Sequence, residues 1–108
     1  MANTFKLKTK ANVGVSTVGI YTAPAATTTV VIGITLANTS GSGINVGIGI
    51  TRASSDDISL MKNVPIPQGS TIEFMQGNKI VLEATDTITA KSDVTNSLDV
   101  ALTIMEIT

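Results

Sequence analysis

Residues 30–50 read VVIGITLANTSGSGINVGIGI, and this stretch decides the class of fold. Aliphatic side chains alternate with other residues on both sides of a turn at residues 38–43, which is rich in serine and glycine. Alternation with a period of two is the pattern of a β-strand that is buried on one face. The pattern therefore predicts an antiparallel hairpin that contributes eight aliphatic side chains to one core: Val30, Ile32, Ile34, Leu36, Ile44, Val46, Ile48 and Ile50.

The rest of the chain continues this pattern. Turn signals recur at the roughly 8–12-residue spacing that is typical of sandwiches and barrels. Valine (10), isoleucine (13) and threonine (17) supply 40 of the 108 residues, and these β-branched side chains favour strands. We expect an all-β fold, a single antiparallel β-sandwich of the jelly-roll or Ig-like type. It would form one domain over residues 1–108, with seven to nine strands and no helix.

The first candidate strand, residues 5–10, alternates apolar side chains with lysines. Phe5 and Leu7 are expected to face the core, whereas Lys6, Lys8 and Lys10 are expected to face solvent. Lysines also keep an exposed strand from pairing with other chains. Residues 1–10 are therefore expected to form an edge strand or an arm exchanged between copies.

Two turns have specific predictions. Pro65 and Pro67 exclude a central strand at residues 65–69, and such rigid corners commonly carry the chain from one sheet to the other. Asp86 follows a short strand, and its carboxylate is expected to accept a hydrogen bond from the backbone of its own turn.

Two strand faces are candidate interfaces. The second strand of the predicted hairpin has an almost bare face, and glycine inside a strand usually has a packing reason. Either another sheet or chain packs close to this face, or the residues are simply small and face solvent. The last strand is apolar on both faces, which indicates a central position or a subunit interface. The candidate interface residues on the two strands are Asn45, Gly47, Gly49, Thr51, Ala101, Thr103, Met105 and Ile107.

The residue types exclude most catalytic chemistry. Histidine and cysteine are absent, which removes imidazole acid–base chemistry, thiolate nucleophiles, disulfides and zinc sites with nitrogen or sulfur ligands. Asp56 and Asp57 point to opposite faces of an extended segment and lack the spacing of a calcium loop. Ser59 and Lys62 match a Ser-x-x-Lys spacing only on a strand, where they face opposite ways. We expect no catalytic residue, no metal site, no cofactor and no enzymatic activity.

Charge and targeting signals restrict the partners. Seven basic and eight acidic side chains give a net charge of −1, which does not attract nucleic acid or anionic membranes. Two phenylalanines and one tyrosine are too few for a surface that stacks bases or sugars. No apolar run is long enough to span a bilayer or to form the core of a signal peptide. We expect no nucleic-acid, membrane or small-molecule partner, and we interpret the glycosylation pattern Asn38-Thr39-Ser40 as coincidence.

Several strand-and-turn segments, spread over nearly the whole chain, are similar to those of one class of proteins. They are YTAPAATTTVV (residues 21–31), LANT (36–39), VPIPQGS (64–70), KIVLE (79–83) and IMEIT (104–108). In these segments the chain resembles small virion structural proteins of tailed bacteriophages, particularly those of marine phages. The resemblance implies a component of the capsid surface, neck or tail that has no enzymatic role.

The leading hypothesis is a capsid decoration (cement) or neck-associated subunit that acts through protein–protein contacts. Its partners would be copies of itself, as a trimer or another cyclic oligomer, and other virion proteins. It would be located in the virion after synthesis in the host cytoplasm. The alternatives are a tail or fibre-attachment component, and a module that binds host glycans through the loops at residues 39–43 and 54–57.

Overall fold

The computed structural model describes residues 3–52, 56–74 and 79–108, apart from the side chain of Phe74. The described residues form nine strands and no helix, which confirms the all-β prediction. The strands are β1 (Asn3–Val13), β2 (Val18–Thr22), β3 (Thr28–Asn38), β4 (Ile44–Thr51), β5 (Ile58–Ile66), β6 (Thr71–Phe74), β7 (Ile80–Leu82), β8 (Thr87–Ser92) and β9 (Leu98–Ile107).

The strands form two antiparallel sheets that pack as a β-sandwich. Sheet A has the order β1-β9-β3-β6, with β7 pairing with another part of β3, and sheet B has the order β2-β8-β4-β5. β1 pairs with β9, β2 with β8, β3 with both β6 and β7, and β4 with β5. The chain is therefore one long antiparallel hairpin wrapped into two layers. This is the jelly-roll topology, so the jelly-roll alternative is the one observed.

Residues 38–43 do not form the turn of a hairpin, so that prediction is wrong. β3 lies in sheet A, whereas β4 lies in sheet B, and the connection between them crosses from one layer to the other. The apolar faces of β3 and β4 belong to one core that is shared by the two sheets. Pairing within a sheet and packing across a sandwich bury the same alternating side chains. Alternation alone therefore does not separate the two arrangements.

The corner at residues 65–69 does carry the chain between the sheets, which confirms the prediction. It follows β5 in sheet B and precedes β6 in sheet A. The Ser70 N–H donates to the Pro67 carbonyl at 3.1 Å, and Gly69 has a φ of 70°. Gly69 is the third residue of the turn at residues 67–70, and glycine readily adopts the positive φ that this position requires. Pro65 lies on β5, where it is paired with Asn45 of β4. Because β5 is an edge strand, the missing N–H of Pro65 is tolerated.

A bulge in β3 changes which of its side chains face the core. The register with β9 shifts between Val31 and Gly33. Val31 is buried before the shift and Ile34 after it, whereas Val30 and Ile32 are only half-buried. The prediction that Val30 and Ile32 share the core face of Ile34 is therefore wrong, because one extra residue reverses the alternation.

The two faces of β1 are reversed relative to the prediction. Lys6 pairs with Ile104, which is fully buried, so the lysines share the inner face of the sheet. Phe5 and Leu7 consequently point outward and are 69% and 67% exposed. β1 lies at the edge of sheet A, where the inner-face lysines reach the rim of the core, and Lys6 pairs there with Glu106 while Lys8 lies over the Tyr21 ring. Alternation shows which residues share a face, but not which face is buried.

The remaining strands pack as predicted. The alternate aliphatic side chains of β4 and β9 are buried, and these two strands contribute Ile44, Val46, Ile48, Ile50, Leu98, Val100, Leu102 and Ile104 to the core. β9 is central in sheet A, between β1 and β3. Within the described parts of the chain there is no helix with the length and hydropathy needed to cross a membrane.

Candidate interaction surfaces

The outer face of sheet A carries a row of apolar side chains. Phe5, Met105, Val30 and Val81 lie in register across β1, β9, β3 and β7, and we call them the apolar row. Val81 is 58% exposed at one end, and Phe5 is more exposed at the other. Single exposed apolar residues are common on proteins, whereas contiguous ones mark interaction surfaces. The apolar row is therefore a candidate interface.

The predicted interface residues of β9 all lie on this face. Ala101, Met105 and Ile107 are half-buried, and Thr103 is exposed. Leu7 lies opposite Thr103, one step along the sheet from the apolar row. The structure thus brings the four β9 residues together and adds Phe5 and Leu7. Sequence reasoning missed these two because it assigned the apolar face of the first strand to the core.

The bare face of β4 forms the floor of a groove on the outside of sheet B. Gly47 and Gly49 form the centre of the floor, and the exposed Asn45 and Thr51 lie in line with them. The groove has a volume of about 360 Å³. We call it the β4 groove, and its side walls include Ser59 and Lys62 of β5 and Thr89 and Lys91 of β8.

Gly49 has a packing reason within the chain. A Cβ atom at this position would lie 2.8 Å from the carbonyl oxygen of Ile58 and 3.3 Å from Oγ1 of Thr89. Gly47 is less constrained, because a Cβ atom there would lie 3.4 Å from the carbonyl oxygen of Met61. β5 comes close because its register with β4 shifts on both sides of Ile48. Of the two explanations for the bare face, close packing applies at Gly49, and the neighbour is β5 of the same chain.

The charged side chains around the β4 groove differ in their bonding. The Asp57 carboxylate accepts a hydrogen bond from the Arg52 backbone N–H at 3.0 Å, and the Asp93 carboxylate accepts one from the Asn45 N–H at 2.9 Å. Lys62 and Lys91 are exposed and form no ion pair with a described residue. The groove therefore presents two cations without ion-pair partners beside two carboxylates, each of which accepts one backbone hydrogen bond and keeps its charge.

A buried polar cluster joins the two sheets beneath β1. The Tyr21 hydroxyl of sheet B donates to Glu106 Oε2 at 2.5 Å, and Thr29 Oγ1 lies 2.8 Å from the same hydroxyl. Because the single phenol proton goes to the carboxylate, the Thr29 hydroxyl donates to the phenol oxygen. Lys6 Nζ lies 2.8 Å from Glu106 Oε1, and Lys8 Nζ lies 5.9 Å from the centre of the Tyr21 ring. Every polar atom of this cluster has a partner, which favours a structural role.

The cluster shifts the pKa values of two of its members in opposite directions. Burial, followed by the hydrogen bond to Glu106, raises the pKa of Tyr21 from 10.0 to about 12. The hydrogen bond from Lys6, followed by that from Tyr21, lowers the pKa of Glu106 below its ordinary value. The Glu106 carboxylate therefore contributes stability above its unfolded-state pKa, and this contribution is lost as the pH falls through the lowered pKa. The Tyr21 contribution is complete below pH 10 and is lost as the pH rises towards 12.

Tyr21 is the one tyrosine, and there is no tryptophan, so ultraviolet absorbance of tyrosinate measures this residue alone. In the folded protein we expect its titration midpoint near pH 12, and in denaturant near the ordinary value of 10.0. In the Glu106→Gln variant, Tyr21 is expected to titrate at lower pH than in the parent, because the adjacent negative charge is gone. A folded-state midpoint at the ordinary value, with native circular dichroism, would contradict the buried cluster.

A second charged cluster, formed by Arg52, Glu83 and Asp86, lies at the turn between β7 and β8. The Asp86 carboxylate accepts the Glu83 backbone N–H at 3.0 Å, which confirms the predicted bond within its turn. Arg52 Nε donates to Asp86 at 3.2 Å, and its guanidinium also pairs with Glu83. The Asp86 carboxylate, which accepts this bond, raises the pKa of Arg52. These bonds fix the end of β4 against the turn between β7 and β8.

The structure bears on the glycosylation pattern at Asn38-Thr39-Ser40, whereas glycan binding by the loops at residues 39–43 and 54–57 stays a prediction. At residues 39–43 the glycosylation pattern begins with Asn38, which is 5% exposed. Its Nδ2 donates to three carbonyl oxygens, those of Ser42, Ile66 and Pro67. The nitrogen that would carry a glycan is therefore occupied in the folded chain. In the loop at residues 54–57, positions 54 and 55 lie outside the described residues.

No protein-family model matches the sequence, and no curated protein matches it. The fold is similar to that of a solved structure from Bacillus endospore appendages, which are described as a novel family of disulfide-linked pili. The similarity has a TM-score of 0.60 with 13% sequence identity, and it covers 99% of this chain and 87% of that chain. At this identity the similarity shows a shared fold.

Proposed function

We propose that the chain is a structural subunit of a tailed-phage virion, a capsid decoration or neck-associated protein that works through protein–protein contacts. The observation that carries this proposal is the apolar row on the outer face of sheet A. It leaves more than half of the surface of Phe5 and of Val81 exposed to solvent. Aromatic residues and methionine are enriched in protein–protein interfaces, and the apolar row contains Phe5 and Met105.

The other surfaces support a role in contacts rather than chemistry. The charged and hydroxyl side chains that come together at the Tyr21 and Arg52 clusters bond one another and the backbone, and so stabilise the sandwich. The β4 groove has a floor of backbone and small side chains, which lets a partner approach the sheet closely. A decoration subunit needs such area because buried surface is its means of action.

Mass spectrometry of purified phage particles tests the proposal. The expected result is the chain at a fixed copy number, much higher for a capsid position than for a ring at the neck or tail. Absence of the chain from particles whose other structural proteins are detected would overturn it. A tail or fibre-attachment role would be distinguished by cryo-electron microscopy of the same particles.

A second candidate is a subunit of a pilus-like filament. It is favoured by the fold shared over 99% of this chain with a subunit from disulfide-linked pili. These 108 residues contain no cysteine, so any filament would be held by non-covalent contacts between them. Electron microscopy of cell surfaces after labelling with an antibody to this chain would show filaments under this candidate and none under the first.

A further inference from the structure

We propose that copies of this chain stack face to back, with the apolar row of one copy seated in the β4 groove of the next. The inference rests on the proposed structural role and names a second copy as the partner. The apolar row lies on the outer face of sheet A and the groove on the outer face of sheet B, so they are on opposite sides of one sandwich.

The shapes of the two surfaces are complementary. Phe5 and Leu7 project from sheet A with about two thirds of their surface exposed. The groove has a volume of about 360 Å³ and no side chain on Gly47 or Gly49, although the Ile58 carbonyl oxygen of β5 borders it above Gly49. A cavity of about 150 Å³ accommodates benzene, so the groove has room for roughly two side chains of that size. Large side chains on one face thus meet a face that lacks them.

The charges favour this pairing over contact between two apolar rows. The outer strand positions of sheet A include two carboxylates, Glu73 on β6 and Asp99 on β9, and Asp99 also accepts the Asn12 backbone N–H at 3.0 Å. Two such faces would oppose like charges, which disfavours a symmetric contact. In the face-to-back arrangement these carboxylates meet the side of the sandwich where Lys62 and Lys91 border the groove without ion-pair partners among the described residues.

The edges of both sheets are poorly suited to joining copies strand to strand. Register shifts interrupt the edge strands β2 and β5 of sheet B, and one edge of sheet A is divided between β6 and β7. Bulges and breaks of this kind hinder the addition of a further strand. The other edge of sheet A, β1, pairs continuously over Asn3–Lys10 and carries Lys6, Lys8 and Lys10, which hinder the addition of a strand. The faces of the sandwich, and not its edges, are therefore the surfaces available for assembly.

The geometry sets the form of the assembly. A contact between two different surfaces is heterologous, so repetition gives a ring if the rotation closes and an open stack if it does not. Stacked sheets lie about 10 Å apart, and each copy adds two such spacings, so an open stack would repeat at roughly 20 Å. The outer face of sheet A offers roughly 500 Å² from strand spacing and rise, which is below the approximately 800 Å² of a standard interface. Single contacts would be weak, and assembly would depend on repetition.

Chemical cross-linking of the purified full chain tests the stacking. Because the chain has no cysteine, introduced thiols are the reactive ones. Thr103→Cys places a thiol beside Leu7, Ser59→Cys places one in the wall of the groove, and both parent side chains are exposed. With a short bis-maleimide at high protein concentration, the double variant is expected to form a covalent ladder. The matched control, Thr103→Cys with Ser42→Cys, carries its second thiol on the exposed 39–43 loop and is expected to form none.

Two further results decide the inference. Adding Phe5→Ser to the double variant is expected to reduce the ladder at least about tenfold while the urea midpoint stays unchanged, since Phe5, a member of the apolar row, is 69% exposed. Dimers from Thr103→Cys alone at the yield of the double variant, or no ladder at all, would overturn the stacking. A chain present on particles at fixed copy number but without a ladder would leave the proposed function intact and remove this inference alone.

Discussion

Replacing Asn38 with alanine is expected to lower the free energy of unfolding by about 3 kcal/mol, the largest loss we predict for one side chain. Asn38 lies where β3 leaves sheet A. Its Nδ2 donates to the carbonyl oxygens of Ile66 at 2.9 Å and Pro67 at 3.2 Å, which lie where the chain leaves sheet B. One side chain therefore joins the two crossings between the layers.

The same side chain also organises its own connection. Nδ2 of Asn38 donates to the Ser42 carbonyl at 2.8 Å, and Oδ1 accepts the backbone N–H and the hydroxyl of Ser40, each at 2.9 Å. Alanine would remove all of these bonds and leave the buried Ile66 carbonyl without this donor. An unsatisfied buried group costs about 1–3 kcal/mol, and the loss of several bonds places the total near the upper value.

Urea unfolding followed by circular dichroism measures the effect, and the melting temperature should fall by roughly 10–20 °C. Asn38→Asp provides a sharper comparison, because it keeps the shape and the acceptor but loses the donor. Its carboxylate would face three carbonyl oxygens, which raises its pKa in the folded state, so we expect stability to recover as the pH falls through this raised pKa and the recovery to be complete below about 4. Thr39→Ala, at the exposed neighbour, should change stability by less than about 0.5 kcal/mol. Equal stability of Asn38→Ala and Thr39→Ala would show that the crossings do not depend on this side chain.

Asn38 also shows why the sequence predicts the strands better than their arrangement. The alternation of residues 30–36 and 44–50 is correct evidence for two strands, and both are present as β3 and β4. Whether the link between them turns within a sheet or crosses to the other depends on contacts with Ile66 and Pro67, nearly thirty residues away. No local pattern contains that information. The corner at residues 65–69 was predictable because its prolines act through their own backbone geometry.

The candidate surfaces, too, contain features that the sequence predicts and features that depend on strand register. β9 was recognised as apolar on both faces because each face is visible in its own sequence, and it is central in sheet A. The outward direction of Phe5 was not predictable, since it is set by pairing with Met105 in register. A bulge between Val31 and Gly33 likewise moves Val30 to the outer face, where it completes the apolar row. The row is thus a product of register and not of composition.

Replacing Gly49 with alanine is expected to destabilise the fold by about 1–3 kcal/mol, the range for an added group in a packed site. Its Cβ atom would lie 2.8 Å from the Ile58 carbonyl oxygen, a distance that real Cβ atoms do not adopt, so β5 has to move away from β4. The obstacle is backbone, which cannot rotate aside as a flexible side chain would. Because β5 is an edge strand paired with β4 alone, its displacement is not restrained from the other side.

Gly33→Ala is the matched control, because Gly33 also lies inside a strand and its added Cβ atom would meet nothing within 4 Å. Its φ is not in the left-handed region, so alanine is expected to be neutral or to stabilise by about 0.4–1 kcal/mol through the unfolded chain. Urea unfolding of dilute protein, where the weak contacts between copies do not form, measures both variants on the isolated fold. Equal stability of the two variants would mean that Gly49 is not needed by β5. The bare face of β4 would then be explained by small residues that face solvent or by close approach of a second copy, and the cross-linking experiment separates these two.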